Sequence, residues 1–304
     1  MSAKSISRAR INTMNNLKGD LRAFSAWWKV TPYKGKKRSV RTLSEYLRVL
    51  NHYIAAHPDG EYTLTAAREW VASEMERAES AGRWAARALK AYDGWRVSEY
   101  NGTPPVMDRL EVPADPTATN IYVAQPDDIT AMLSTCKTRG YDFIALRDAA
   151  IIHCLRSTGM RIGELCSLNM EDINTETGVV TVKQSKNGEM RRTRLDEDAQ
   201  SALRRYRHGM TLDKYPHVWE SSLGGKMRPH SIQKRITARA VEAGCPQVTP
   251  HSFRRGMAQE VFRRGGSQTY LMALCGWKSD EMPRRYLKSV SADEALAMHE
   301  RLFG

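Results

Sequence analysis

Apolar residues recur at spacings of three and four through the first hundred positions, the signature of helices that bury one face. Leu17, Leu21, Phe24, Trp27 and Trp28 form one stripe, and Leu43, Tyr46, Leu47, Leu50 and Tyr53 a second. Ala66, Trp70, Val71 and Met75 predict a third, and Trp84, Ala88, Ala91 and Trp95 a fourth. Because the aromatic residues follow the helical period, they read as core and not as a base-stacking surface. Residues 34–38 and 57–60 read as loops, so residues 12–102 are expected to form one small helical domain. Periodicity then lapses through Asn101-Gly102-Thr103-Pro104-Pro105, Pro113 and Pro116, and residues 103–125 are expected to be an extended interdomain linker. Asp127 or Asp128 is placed to start the next helix.

Beyond the linker, residues 126–304 read as a second, mixed domain. A buried helix is expected over 141–158, stopped by Gly159, with a short helix over 161–169. Residues 178–184 are rich in β-branched side chains. Asn187-Gly188 is a hairpin turn signal, and 191–195 make the return strand. Further helices are expected over 197–207, 230–243, 250–264, 267–275 and 292–302. The fold class is therefore mainly α: an N-terminal helical domain followed by a mostly helical domain with one small antiparallel sheet.

Composition narrows the setting. The 304 residues are 41% hydrophobic and 27% charged, close to an ordinary globular chain. The longest apolar run, Ala149 to Leu155, contains His153 and falls far short of the roughly 18 residues of a membrane helix. The first twenty residues are polar and basic, so neither a membrane nor a secreted protein is expected. Cys136, Cys154, Cys166, Cys245 and Cys275 are odd in number and scattered, which suits a reducing compartment and forms no metal cage. The net charge of +13 points to a polyanion, and it is concentrated. Residues 1–50 carry twelve Lys/Arg against Asp20 and Glu45, a balance of +10 that leaves +3 for all the rest. Lys34, Lys36, Lys37, Arg38 and Arg41 are the candidate DNA-phosphate contacts within this stretch. For residues 1–10 a solvated tail is the expected form.

Four segments carry candidate chemistry. Thr249-Pro250 starts a helix and places His251 in its first turn with Arg254 three residues on, so both face an anion at the positive helix end. In Thr158-Gly159-Met160-Arg161-Ile162-Gly163-Glu164, Arg161 follows a glycine break and Glu164 lies one turn further on. Lys186 sits at the hairpin tip, where a flexible amine can reach an oxygen. Cys275-Gly276-Trp277 precedes Arg284-Arg285-Tyr286 by a few residues. Each alone has a plain structural reading: a solvated helix start, an ion pair, a turn lysine, a core tyrosine.

Taken in this order, TGMRIGEL, VVTVKQSKNGEMRRTRL, HSFRRGMAQ and LCGWKSDEMPRRY resemble the tyrosine recombinase (phage integrase) family. The resemblance covers the chain from about residue 122, and the basic helical part is similar to the family's core-binding domain. It implies a site-specific recombinase that cleaves and rejoins DNA through a 3′-phosphotyrosyl intermediate and a Holliday junction. Tyr286 would be the nucleophile, Arg161 and Arg254 the clamp on the scissile phosphate, and Lys186 the general acid, with Lys183 as the alternative. His251 would be the acid/base partner, held by Glu164. Trp277 stands where most members carry His, as in a Cre-like variant; its indole N–H can donate to a phosphate but cannot relay a proton.

The implied chemistry suits these groups. A phenol of ordinary pKa about 10 needs activation, and the charge of a pentavalent phosphorus is matched by two guanidinium groups. Because the covalent link conserves the broken bond's energy, no cofactor and no metal are expected. The implied partners are a double-stranded DNA recombination site and further copies of the chain in a homotetramer on DNA. Accessory proteins that set direction are left open. The tail helix over 292–302, which includes Leu296 and Leu302, would dock on a neighbouring protomer, with packing on its own domain as the alternative. The expected location is the cytoplasm, on the nucleoid when DNA is bound. A type IB topoisomerase and a DNA-binding regulator without catalysis are the competing readings.

Overall fold

The computed structural model describes residues 17–33, 35, 37–114, 122–138, 140–183, 190–208, 216–277, 279, 280, 283, 296, 299 and 300. The chain divides into two compact units, residues 1–120 and 121–304. Among the described residues no helix is long and apolar enough to cross a membrane.

The first unit holds α1 (Leu17–Val30), α2 (Val40–Ala56), α3 (Leu64–Arg77) and α4 (Glu79–Glu99). Ser39 and Thr63 cap α2 and α3 by accepting from Thr42 N and Ala66 N, which satisfies orphan amides of the first turn. The aromatic stripes do form the core. Phe24 is fully buried, 5.8 Å from the rings of Trp28, Tyr92 and Trp95. On α3 the buried position after Val71 is Glu74, while Met75 is exposed and lies over Gly82 of α4.

The expected linker is shorter than 103–125. Met107 and Leu110 belong to the core of the first unit. The buried Asp93 accepts from the backbone N–H groups of Val106 and Met107 at 2.9 and 2.8 Å. Lys90 Nζ donates to the carbonyls of Met107, Asp108 and Leu110. Fixed side chains thus hold a segment that has no periodicity of its own. At the other end, Ala124 N donates to Ser252 O at 3.2 Å, which assigns residues 122–125 to the second unit.

The second unit runs α5 (Pro126–Ser134), α6 (Phe143–Thr158), α7 (Ile162–Ser167), a 3-10 turn (Met170–Asp172), β1 (Val179–Lys183), β2 (Met190–Arg194), α8 (Glu197–His208), α9 (Pro229–Glu242), α10 (Pro250–Arg263) and α11 (Gln268–Cys275). The short helix expected over 161–169 is α7, which ends at Ser167; the 3-10 turn follows after Leu168 and Asn169. The strands pair antiparallel, with Val179 opposite Arg194 and Lys183 opposite Met190. Helix α6 is the central element, packed against α5, α8, α9 and α10. Its Ile151, Ile152 and Leu155 are fully buried beside Val180, Tyr206, Trp219 and Phe253. Asp148 on α6 is buried and paired with Arg235 at 2.6 Å and Arg239 at 3.0 Å on α9. A buried carboxylate requires such partners, and this pair fixes how α9 lies on α6.

Candidate active site

The site is built at the ends of four helices. Helix α6 stops at Gly159, whose φ of +55° is the left-handed cap that a residue without Cβ adopts at least cost. The chain then turns, and Arg161 stands in extended conformation at the N-cap of α7. Glu164, in the first turn of α7, reaches back to accept from Arg161 N and from Arg161 Nη1, each at 2.8 Å. This fixes the arginine's backbone and side chain together.

Helix α10 supplies the second arginine. Thr249 Oγ1 accepts from Ser252 N and Ser252 Oγ accepts from Thr249 N, a reciprocal cap that sets the first turn. His251 lies in that turn and Arg254 one turn on. Gly256, on the same helix, leaves the room that Ala124 O occupies: a Cβ there would lie 2.6 Å from it.

Arg254 is buried, and its two Nη atoms donate to Gly159 O at 2.7 Å and Cys275 O at 2.5 Å. Both carbonyls belong to helix C-terminal ends, α6 and α11, where the helix dipole is negative. The guanidinium is therefore held by partners that neutralise no full charge. Its carbon lies 5.0 Å from the centroid of the Trp277 ring. Burial, then the Arg161 and Arg191 cations, lower the Arg254 pKa against the opposing pull of Cys275 and Glu164. The guanidinium nevertheless stays charged, since arginine is not deprotonated in proteins.

His251 is exposed, yet partial desolvation of its ring lowers its pKa, with Arg255, Arg254 and Arg161 adding to the shift. The imidazole is thus neutral near pH 7 and able to accept a proton. Burial alone would raise the Glu164 carboxyl, but Arg191 and the hydrogen bonds from Arg161 outweigh it and hold it below its ordinary value.

The fold brings together Arg161, Glu164, His251, Arg254 and Trp277 from three separate stretches of chain. Lys186, Tyr286, Lys34 and Lys36 lie outside the described residues, as does the tail helix apart from Leu296, His299 and Glu300. Lys183, the alternative acid, is committed elsewhere: its Nζ pairs with Asp172 at 2.6 Å and Glu171 at 3.1 Å, and these hydrogen bonds raise its pKa. In the first unit Lys37 and Arg41 are exposed. Arg38 stacks 4.4 Å and 4.6 Å from Trp27 and Trp28, and its Nε donates to Thr31 O, contacts that fasten the loop before α2. Among the described residues no group of three His, Cys, Asp or Glu could hold a metal ion.

One member of the cluster carries no motif signal. Arg191 on β2 is buried, pairs with Glu164 at 2.7 Å and donates to Leu274 O at 2.6 Å. Strand alternation is the clue that could have exposed it: Arg191 faces inward opposite buried Val182, where a cation requires a buried partner.

The chain resembles known proteins in sequence and in fold. The phage integrase family model matches residues 123–292, more than half of the chain. The tyrosine recombinase XerC of Mycobacterium bovis is 28% identical over 288 residues, covering 87% of this chain and 93% of that one. XerC of Xanthomonas campestris is 31% identical over 134 residues, 44% of this chain, and the match spans only 41% of the relative's length. A lambda integrase tetramer bound to a Holliday junction has a TM-score of 0.69 at 16% identity, covering 92% of this chain and 80% of that one. The Tn1549 transposon integrase in complex with circular intermediate DNA has a TM-score of 0.68 at 18% identity, covering 93% and 99%. At these identities the two structures share the fold. With the family model over residues 123–292, more than half of the chain, the chain belongs to the phage integrase family, the tyrosine recombinases.

Proposed function

We propose that the protein is a site-specific DNA recombinase that transfers a DNA strand to Tyr286 and back. The observation that carries the reading is the pairing of a buried, carbonyl-held Arg254 with a half-exposed Arg161 beside a neutral His251. Two fixed guanidinium groups suit the nonbridging oxygens of a phosphodiester, and an unprotonated imidazole suits a phenol that must lose its proton.

The step balances without any co-reactant. Tyr286 Oη attacks phosphorus, its proton passing to His251, while the bond to the 5′-oxygen breaks and Lys186 supplies that oxygen's proton. The product is a 3′-phosphotyrosyl link and a free 5′-hydroxyl, and reversal with a 5′-hydroxyl from another duplex completes exchange. Trp277 packs beside Arg254 and offers its indole N–H to the phosphate. The pairing of Lys183 with Asp172 and Glu171 favours Lys186 as the acid. The likeness to the tyrosine recombinase XerC and to a transposon integrase favours recombination over a topoisomerase or an inactive regulator.

Both units contact the duplex in this reading, the first through exposed cations such as Lys37 and Arg41. Four copies assemble on DNA, joined by the tail over 292–302, in the cytoplasm on the nucleoid. The experiment is strand exchange between two duplexes carrying a sequence selected by the protein from a random library. Exchange products without ATP are expected. Relaxation of supercoils on DNA lacking that sequence, with no exchange, would support the topoisomerase reading instead.

A further inference from the structure

The Glu164 carboxylate is shared. Its Oε1 faces Arg161 Nη1 at 2.8 Å, and its Oε2 faces Arg191 Nη2 at 2.7 Å. The side chain of Arg191 is 6% exposed and that of Arg161 is 44% exposed. A pair of Arg161 and Glu164 alone would be neutral, and the carboxylate would compete with any anion for the guanidinium. Adding Arg191 leaves the trio with one net positive charge. The buried cation is committed to the carboxylate, while the exposed one keeps a face open to solvent.

We propose that Arg191 is a positioning residue that neutralises Glu164 and so leaves the charge of Arg161 available to the scissile phosphate. This rests on the phosphodiester reading above. A second contact ties the same side chain to the rest of the site. Arg191 donates to Leu274 O, and Arg254 donates to the next carbonyl, that of Cys275. One side chain on β2 thus links the Arg161 turn to the helix end that holds Arg254.

The test is single-turnover cleavage of a nicked duplex carrying the selected sequence, with DNA affinity and Tm measured alongside. Arg191→Gln retains a donor for Leu274 O but loses the charge. Cleavage is expected to fall about 30-fold with DNA affinity within about twofold, since the loss falls on the transition state. Adding Glu164→Gln removes the unopposed carboxylate and is expected to recover about tenfold of that loss. A double variant as slow as Arg191→Gln, or slower, overturns the proposal, because a merely structural arginine would not be rescued in this way. Arg191→Lys keeps the charge and is expected to stay within about threefold of wild type, which preserves the test if the Gln variant does not fold. A Lys variant that folds but loses about 30-fold also overturns it. Failure of the wild-type protein to cleave at all would count against the phosphodiester reading, a different outcome from failed rescue.

Discussion

The guanidinium of Arg254 donates to the carbonyl of Gly159 at 2.7 Å, although 95 positions separate them in the chain. The bond joins the glycine that ends α6 to the helix that carries His251, and it sets where a bound anion can meet two cations.

Gly159 therefore bears on both stability and chemistry. Gly159→Ala forces a side chain into the left-handed region and into Met257. The expected cost is about 1–2 kcal/mol of stability, read by urea unfolding, together with slower cleavage as Arg254 shifts.

Arg254→Lys offers a single ammonium where two carbonyls are held by a fork. One of Gly159 O and Cys275 O loses its donor, at about 1–3 kcal/mol. Cleavage of a nicked duplex is expected to fall at least about 100-fold. A loss under fivefold would show that the fork is not needed.

His251 gives the protein an acid-sensitive element. Its pKa in the folded chain is lowered, so below the unfolded value of about 6.5 the unfolded chain takes up a proton that the folded chain resists. Stability attributable to the neutral ring is complete above pH 6.5 and declines as pH falls through and below it. His153 and His217, also lowered, act in the same sense. Between pH 7.5 and 5.5, wild type is expected to lose more stability in urea unfolding than His251→Gln does. Equal losses would remove His251 from the account.

In the first unit, a stacked cation and two exposed ones can be tested separately. Arg38→Ala loses its stacking on Trp27 and Trp28 and is expected to destabilise the unit by about 1–2 kcal/mol. Lys37→Ala with Arg41→Ala is expected to leave Tm unchanged while reducing the slope of log affinity against log salt by about 2. A slope that does not move would exclude both as phosphate contacts.

Much of this was legible in the residues. Thr249-Pro250 announced α10, Gly159 announced the end of α6, and Asn187-Gly188 between alternating runs announced the β1–β2 pair. What escaped were contacts that no local period records. Residues 103–110 read as linker because Asp93 and Lys90 fix them through backbone groups. The stacking of Arg38 on two indoles depends on how the loop folds back. Arg191 was passed over because its partners, Glu164 and Leu274, come from distant parts of the chain. The charge of +10 in the first fifty residues indicated a polyanion, but only the spacing around Arg161, His251, Arg254 and Tyr286 indicated a reaction.

Covalent capture tests Tyr286 as the nucleophile most directly. Wild-type protein is incubated with a nicked duplex of the selected sequence, so that the cleaved fragment diffuses away, and the trapped peptide is identified by mass spectrometry. A denaturant-resistant protein–DNA adduct through the peptide containing Tyr286 is expected, and none with Tyr286→Phe. An adduct that persists in Tyr286→Phe, or that maps to another residue, would contradict it.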